Sequence, residues 1–194
     1  MKLRGLYAIT PDTSGIIEKV KHALEGGIAL LQYRRKKQSL LSEAKEVVAL
    51  AHRYHVPVII NDDLELALAC GADGVHLGRD DGELAAARKK LKGKLLGASC
   101  YNDAEAAKAA VRAGADYVAF GSVFASPTKP GAVRAPLSLF GQDFGVPRCA
   151  IGGITLQNAP EVIAAGADLV AVISDLFDAP NIRFQASRFS KLFS

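Results

Sequence analysis

The sequence predicts a single (β/α)₈ barrel spanning residues 1–194, and three observations carry that prediction. A Gly-Ala-Asp motif recurs after alanine-rich stretches. Its copies are Cys70-Gly71-Ala72-Asp73-Gly74-Val75, Ala113-Gly114-Ala115-Asp116-Tyr117-Val118 and Ala165-Gly166-Ala167-Asp168-Leu169-Val170, with a worn version at Glu25-Gly26-Gly27-Ile28-Ala29-Leu30. Short apolar runs alternate with helical stretches along the whole chain. The composition, 49% hydrophobic and 23% charged, suits a soluble globular domain. A chain of this length buries enough apolar surface to need neither disulfides nor a structural metal.

The repeat glycines stand at 26, 71, 114 and 166, giving spacings of 45, 43 and 52 residues. Each interval holds two strand–helix units, so four repeats give eight. In each copy the glycine suits the left-handed residue that stops a helix, and the apolar run after it suits a buried parallel strand. In chain order the expected strands are Leu6–Thr10, Ala29–Arg34, Pro57–Asn61, Gly74–Leu77, Leu95–Ser99, Tyr117–Phe120, Pro147–Ile151 and Leu169–Ile173. Asn102 with Glu105 reads as the capping box of the helix after the fifth strand. Thr155 precedes the helix after the seventh, with Pro160 in its first turns. Gly121–Pro136 lacks either pattern and has the length of a lid, while Leu137–Val146 leaves room only for an abbreviated sixth helix. Ile182–Ser194 forms the eighth helix, and its Phe184, Phe189 and Phe193 leave open a contact between copies in a homo-oligomer. An open doubly wound sheet could use the same units, but their even spacing favours closure. Loops must be lean, because such barrels typically need roughly 250 residues.

Composition also excludes several function classes. No apolar run approaches the roughly 20 residues of a bilayer span. The N-terminal apolar stretch is too short for a signal-peptide core and ends at Pro11-Asp12, so a cytoplasmic protein without a membrane partner is expected. A net charge of +4 and a pI near 9.0 favour anionic partners. No basic block interleaved with aromatics marks a nucleic-acid surface, which points to small phosphorylated molecules. Cys70, Cys100 and Cys149 form no CxxC pair and read as reduced, buried thiols. His22, His52 and His55 fall on helical segments at the surface.

In a barrel, chemistry collects at strand C-termini and the loops that follow. The second strand ends Gln32-Tyr33-Arg34-Arg35-Lys36, and alternation puts Gln32, Arg34 and Lys36 on one face, aimed into the mouth. An arginine there calls for an anionic partner. The third strand ends Asn61-Asp62-Asp63, and the fourth runs into His76-Leu77-Gly78-Arg79-Asp80-Asp81. Asp62 and Asp81 opposite these cations suit a Mg²⁺ shared with a diphosphate, although a carboxylate at either place could equally cap the next helix. His76 suits an orienting role. The fifth strand ends at Ser99, and the loop after the sixth carries Ser126-Pro127-Thr128-Lys129-Pro130-Gly131, whose hydroxyls and lysine suit phosphate oxygens. Gly152-Gly153 after the seventh strand and Ile173-Ser174 after the eighth match the common barrel phosphate cradle of backbone N–H groups. Two anion sites in one mouth, one for a monophosphate and one for a metal-bound diphosphate, imply displacement of pyrophosphate. No Ser-His-Asp arrangement, evident Schiff-base lysine or dinucleotide fingerprint competes.

Taken together, Leu6-Tyr7-Ala8-Ile9-Thr10, Gln32-x-Arg34-x-Lys36, Ile60-Asn61-Asp62, Gly74-Val75-His76-Leu77-Gly78, Ser126-Pro127-Thr128-Lys129-Pro130, Ala150-Ile151-Gly152-Gly153-Ile154-Thr155 and Ile173-Ser174 resemble the thiamine-phosphate synthase family, in order and over nearly the whole chain. The resemblance implies joining a hydroxymethylpyrimidine diphosphate to a hydroxyethylthiazole phosphate, with C–O cleavage running ahead of attack. It implies Mg²⁺ on Asp62 and Asp81, and the diphosphate on Arg34, Lys36, Asn61 and Lys129. Gln32 and Ser99 fall at the pyrimidine end, and Thr128, Gly153, Ile173 and Ser174 at the thiazole phosphate. Ser126 stands where the family commonly has threonine, keeping the hydroxyl, and Arg79 replaces a usual neutral amide. A related branch, the thiazole tautomerases, places a histidine where this chain has Ser122. A non-catalytic binder of thiamine precursors is the other alternative, but such a degraded copy should have lost Lys129 or an aspartate, and this sequence keeps Lys129, Asp62 and Asp81.

Overall fold

The computed structural model describes residues 3–35, 40–78, 83–125 and 133–194. Eight parallel strands close into a barrel in chain order: β1 Gly5–Ile9, β2 Leu30–Tyr33, β3 Val58–Asn61, β4 Gly74–Leu77, β5 Leu95–Tyr101, β6 Tyr117–Gly121, β7 Arg148–Ile151 and β8 Leu169–Val172. Closure is made by β1 against β8, where Gly5 pairs with Leu169 and Ala8 with Val172. The helices are α1 Ile16–Glu25, α2 Leu41–Arg53, α3 Leu64–Ala69, α4 Leu84–Leu91, α5 Ala104–Arg112, α6 Ala159–Ala164, α7 Ser174–Phe177 and α8 Ile182–Ser190. No helix among the described residues is long and apolar enough to cross a membrane.

Alternation along the strands sorts the core into two layers. Outward residues such as Leu6, Leu31, Val58, Ile60, Val75, Val118 and Val170 pack under the helices. Inward residues, among them Tyr7, Ile9, Leu30, Ile59, Tyr117, Cys149 and Leu169, fill the barrel. All three cysteines are free and buried.

The repeat has a structural meaning at the N-terminal end of the barrel, away from the mouth. Asp73 Oδ2 accepts the Val58 N–H at 2.8 Å while the Asp73 N–H donates to the Val58 carbonyl at 2.8 Å. Asp116 does the same to Leu96, and Asp168 to Arg148. The repeat glycines stop their helices in the left-handed region, with φ of 77° at Gly71, 97° at Gly114 and 110° at Gly166. In the worn copy Gly26 stays at −83° and Gly27 takes +88° instead.

Three local expectations need correction. Strand β5 does not end at Ser99. A bulge between Ser99 and Tyr101 carries it to Tyr101. The start of α5 therefore moves on by one residue, and its cap is Asp103 rather than Asn102: Asp103 Oδ1 accepts from the N–H groups of Glu105 at 2.8 Å and Ala106 at 3.1 Å. Glu105 closes no capping box and instead pairs with Lys108. His55 lies beyond the end of α2, exposed and with φ of 58°.

The segment Leu137–Val146, expected to hold an abbreviated helix, forms no α-helix. A single 3₁₀ turn, Leu137–Leu139, replaces it. Phe140 and Phe144 fill the space over β6, their rings 5.8 and 5.4 Å from that of Phe120. The Arg148 guanidinium ties the segment down through the carbonyls of Phe140 at 2.8 Å and Gln142 at 2.9 Å. At the C-terminus α8 lies on α1 with Ala186 against Gly26, and Ser190 Oγ donates to the Gly27 carbonyl at 2.6 Å.

Candidate active site at the barrel mouth

Parallel closure puts the C-terminal ends of all eight strands on one rim, and the described candidates stand there together. Gln32 lies on β2 and Arg34 just past it, Asn61 ends β3 with Asp62 next, and Ser99 lies on β5. Gly153 follows β7, and Ile173 and Ser174 follow β8. Lys36, Asp81, Ser126, Thr128 and Lys129, with Arg79, lie outside the described residues.

Beyond the end of β2, Thr10 fixes the chain. Its hydroxyl accepts the Arg34 N–H at 2.8 Å and donates to the Arg34 carbonyl at 3.1 Å. The half-buried Arg34 guanidinium makes no hydrogen bond or ion pair among the described residues, which suits an anion arriving from solution. Arg35 points the other way. It forms a two-bond fork with Glu43, at 2.8 and 2.6 Å, and reaches Asp12 at 3.3 Å and the Thr13 carbonyl at 2.8 Å. The Glu43 hydrogen bond holds its guanidinium firmly in the charged form. Its charge is therefore spent on the outer wall.

At the end of β3 the two neighbouring aspartates divide their work. Asp63, not Asp62, caps α3, accepting the Leu66 N–H at 2.8 Å. Asp62 takes a left-handed φ of 64°, uncommon for a residue with a side chain, and its N–H donates to the His76 carbonyl at 2.9 Å. Asn61 Nδ2 donates to Asp62 Oδ2. Asp62 is thus released from capping and held beside β4 in a conformation of the kind that concentrates at functional positions. Its oxygens are hard donors of the type Mg²⁺ takes, and one or two carboxylates suffice for that ion.

A chain of hydrogen bonds crosses the barrel interior. Gln32 Nε2 donates to Tyr7 OH at 2.7 Å, and Tyr7 OH lies 2.8 Å from Tyr117 OH. Tyr117 OH lies 3.0 Å from His76 Nδ1, and His76 Nε2 lies 2.8 Å from Ser99 Oγ. Burial pushes both tyrosine hydroxyls well above their ordinary pKa, so both keep their protons. Gly97 makes the crossing possible, because a Cβ there would collide with the Tyr117 ring and come within 2.5 Å of His76 Nδ1. Gln32, His76 and Ser99 stand out in the sequence as residues of the mouth, whereas Tyr7 and Tyr117 do not. Their inward parity on β1 and β6 was the available signal, and an aromatic side chain at such a position reads as packing.

On the far side of the rim, Gly152 and Gly153 pass against the loop that follows β6. Val123 N–H donates to the Ile151 carbonyl and Phe124 N–H to the Gly152 carbonyl, each at 3.0 Å. Gly153, with φ of 65°, leaves no room for a side chain, since a Cβ would lie 2.5 Å from the Ala125 carbonyl oxygen. The backbone N–H groups of Gly153 and Ser174 donate to no acceptor among the described residues. Ser122 is occupied locally, donating to the Phe124 carbonyl at 2.8 Å.

A closed parallel barrel with a cation, carboxylate and hydroxyl gathered at one rim, and across it N–H groups without an acceptor among the described residues, defines a (β/α)₈ barrel with its polar site at the C-terminal ends of the strands. The sequence profile of the thiamine monophosphate synthase family matches residues 6–176, and the chain belongs to that family. It is 55% identical to the thiamine-phosphate synthase of Aromatoleum aromaticum, covering 99% of this chain and 97% of the relative. It is 50% identical to that of Thiobacillus denitrificans, covering 98% and 95%. Among solved structures, the thiamine phosphate pyrophosphorylase of Pyrococcus furiosus superposes with a TM-score of 0.88 at 33% identity, over 99% of this chain and 96% of that one.

Proposed function

We propose that the chain is a transferase that joins 4-amino-2-methyl-5-hydroxymethylpyrimidine diphosphate to 4-methyl-5-hydroxyethylthiazole phosphate, giving thiamine phosphate and pyrophosphate. The observation that carries the reading is near-complete coverage at 55% identity to a thiamine-phosphate synthase, on a barrel whose described polar candidates share one rim. The C–O bond to the diphosphate breaks first, and the leaving pyrophosphate takes the electron pair. The thiazole nitrogen then forms the new C–N bond to the pyrimidine methylene. That bond requires no proton transfer, so the site needs no general base.

Each residue has a part in this account. Arg34, Lys36, Asn61 and Lys129 hold the diphosphate, and their charge stabilises pyrophosphate as it departs. Gln32 and Ser99 face the pyrimidine. Ser126, Thr128, Gly153, Ile173 and Ser174 hold the thiazole phosphate, with the unspent N–H groups of Gly153 and Ser174 as donors. Fixing both phosphates lets the thiazole intercept the cation before water does. Asp62 and Asp81 would hold Mg²⁺, which supplies charge neutralisation for the leaving diphosphate.

Incubating the purified protein with both substrates and Mg²⁺ tests the reading. Pyrophosphate release that depends on the thiazole phosphate is the expected result. Isomerisation of a carboxythiazole phosphate alone would favour the tautomerase reading, and binding without turnover the non-catalytic one. Against the tautomerase, Ser122 is spent on the Phe124 carbonyl where that branch carries its histidine.

A further inference from the structure

The hydrogen-bond chain across the barrel has a direction. The Gln32 carboxamide nitrogen can only donate, so the Tyr7 oxygen accepts there, and Tyr117 OH is the one acceptor that the described residues offer the Tyr7 proton. The Tyr117 oxygen has then accepted, and its proton goes to His76 Nδ1. A neutral imidazole that accepts at Nδ1 carries its proton on Nε2, which faces Ser99 Oγ. Ser99 must therefore accept from His76, leaving its own hydroxyl proton for another partner. Ser99 is half-buried at the rim, beside the bulge that ends β5.

We propose that Tyr7, Tyr117 and His76 are positioning residues that fix Ser99 as a hydrogen-bond donor toward an acceptor atom of the bound pyrimidine substrate. The identity of that substrate rests on the function proposed above; the direction of the relay does not. A serine hydroxyl left to itself serves as donor or acceptor with equal ease, and so discriminates poorly. Tied to the protonated Nε2, it rewards a ligand with a lone pair at that point and penalises one that presents a proton. Gly97 serves the same device by admitting the Tyr117 ring to the imidazole, 5.5 Å between centroids.

Long-range ¹H–¹⁵N spectra of the unliganded, ¹⁵N-labelled protein read the tautomer directly. The chain has four histidines, and H76Q identifies the relevant signal by its loss. The expected result is a His76 ring with a proton on Nε2 and none on Nδ1. An Nδ1-protonated tautomer or an imidazolium overturns the proposal. This measurement uses the unsubstituted protein and no substrate, so it decides the relay even if the condensation reading fails. A double-mutant cycle gives the functional arm. Y117F and S99A should each lower kcat/KM for the pyrimidine diphosphate by about 10-fold, and the double variant should lose no more than S99A alone. Losses that multiply would mean that Tyr117 does not act through Ser99.

Discussion

The Asp168 carboxylate closes a ring on the backbone of Arg148 and grips its side chain at the same time. Oδ2 accepts the Arg148 N–H at 3.0 Å and Nε–H at 3.1 Å, while the Asp168 N–H returns to the Arg148 carbonyl at 2.8 Å. Arg148 in turn satisfies the carbonyls of Phe140 and Gln142 in the crossover that leads into β7. Three motif copies repeat this ring where β3, β5 and β7 begin, so the most visible sequence signal belongs to the stability end of the barrel rather than to its chemistry.

Replacing Asp168 by alanine should therefore unpin both β7 and the crossover. The lost charge-assisted bonds and the stranded Arg148 N–H together cost about 2 kcal/mol. Thermal denaturation should show a Tm lower by roughly 4–8 °C for a chain of this size. kcat/KM measured well below that Tm should change by less than about 3-fold, because the ring lies at the end of the barrel away from the mouth.

G97A should act at the other end. The added methyl group meets the Tyr117 ring and His76 Nδ1 inside a packed barrel, so the ring or the imidazole must swing away. Overpacking of this kind costs ~1–3 kcal/mol. Chemical denaturation should report that loss, and the His76 tautomer signal should move with it. G93A is the control, since a Cβ at Gly93 would have open space, although φ of 90° there keeps some backbone strain.

The strand–helix alternation was legible because each strand is a short apolar run bounded by a helix stop, and the eight runs fall where β1–β8 form. Gln32, Arg34, Asn61, Asp62 and Ser99 were legible because polar residues at strand ends stand out against those runs. Tyr7 and Tyr117 were not, since only their hydroxyls distinguish them from packing and nothing local tells that the two meet across 110 residues. Asp62 was legible as a polar strand end, but not that its neighbour Asp63 would do the capping. Which one caps α3 depends on the left-handed turn at Asp62, a backbone choice that the residue types leave open.

Alkaline pH should unfold the protein earlier than its surface charges alone would. Burial is the leading cause that raises Cys149, Tyr7 and Tyr117 above their ordinary values, and it pushes Cys100 up to about 12. Above pH ~9 an unfolded chain releases cysteine protons that the folded chain keeps, and the tyrosines join near pH 10. Stability is thus complete below pH ~8 and falls as pH rises, by up to about 1.4 kcal/mol per unit for each such group. Urea titrations at pH 8, 9 and 10 should show a steadily lower midpoint. Native thiols should resist thiol reagents at pH 8 and react after denaturation.

Arg34 and Arg35 are neighbours with opposite fates. R34A should leave Tm within about 1–2 °C, since its guanidinium has no described partner to lose, and should lower kcat/KM by roughly 10²–10³. R35A strips Glu43, Asp12 and the Thr13 carbonyl of their shared partner and should cost about 1 kcal/mol. Its kcat/KM should stay within about 3-fold. Equal kinetic losses in both variants would show that the alternation along the end of β2 does not separate the mouth from the wall.

D62N keeps the size of the side chain and an acceptor oxygen but removes the charge. Asp63 caps α3 independently, so the helix start should survive and the far-UV dichroism should not change. If Asp62 holds Mg²⁺ through its charge, the concentration of Mg²⁺ at half-maximal turnover should rise by about 10-fold or more, as expected when a hard cation loses one of only one or two carboxylates. D63A should behave in the opposite way, weakening α3 by roughly 1 kcal/mol while leaving the Mg²⁺ requirement where it was. A Mg²⁺ dependence that moves with Asp63 and not with Asp62 would assign the metal to the wrong neighbour. The left-handed turn would then be a matter of chain direction alone.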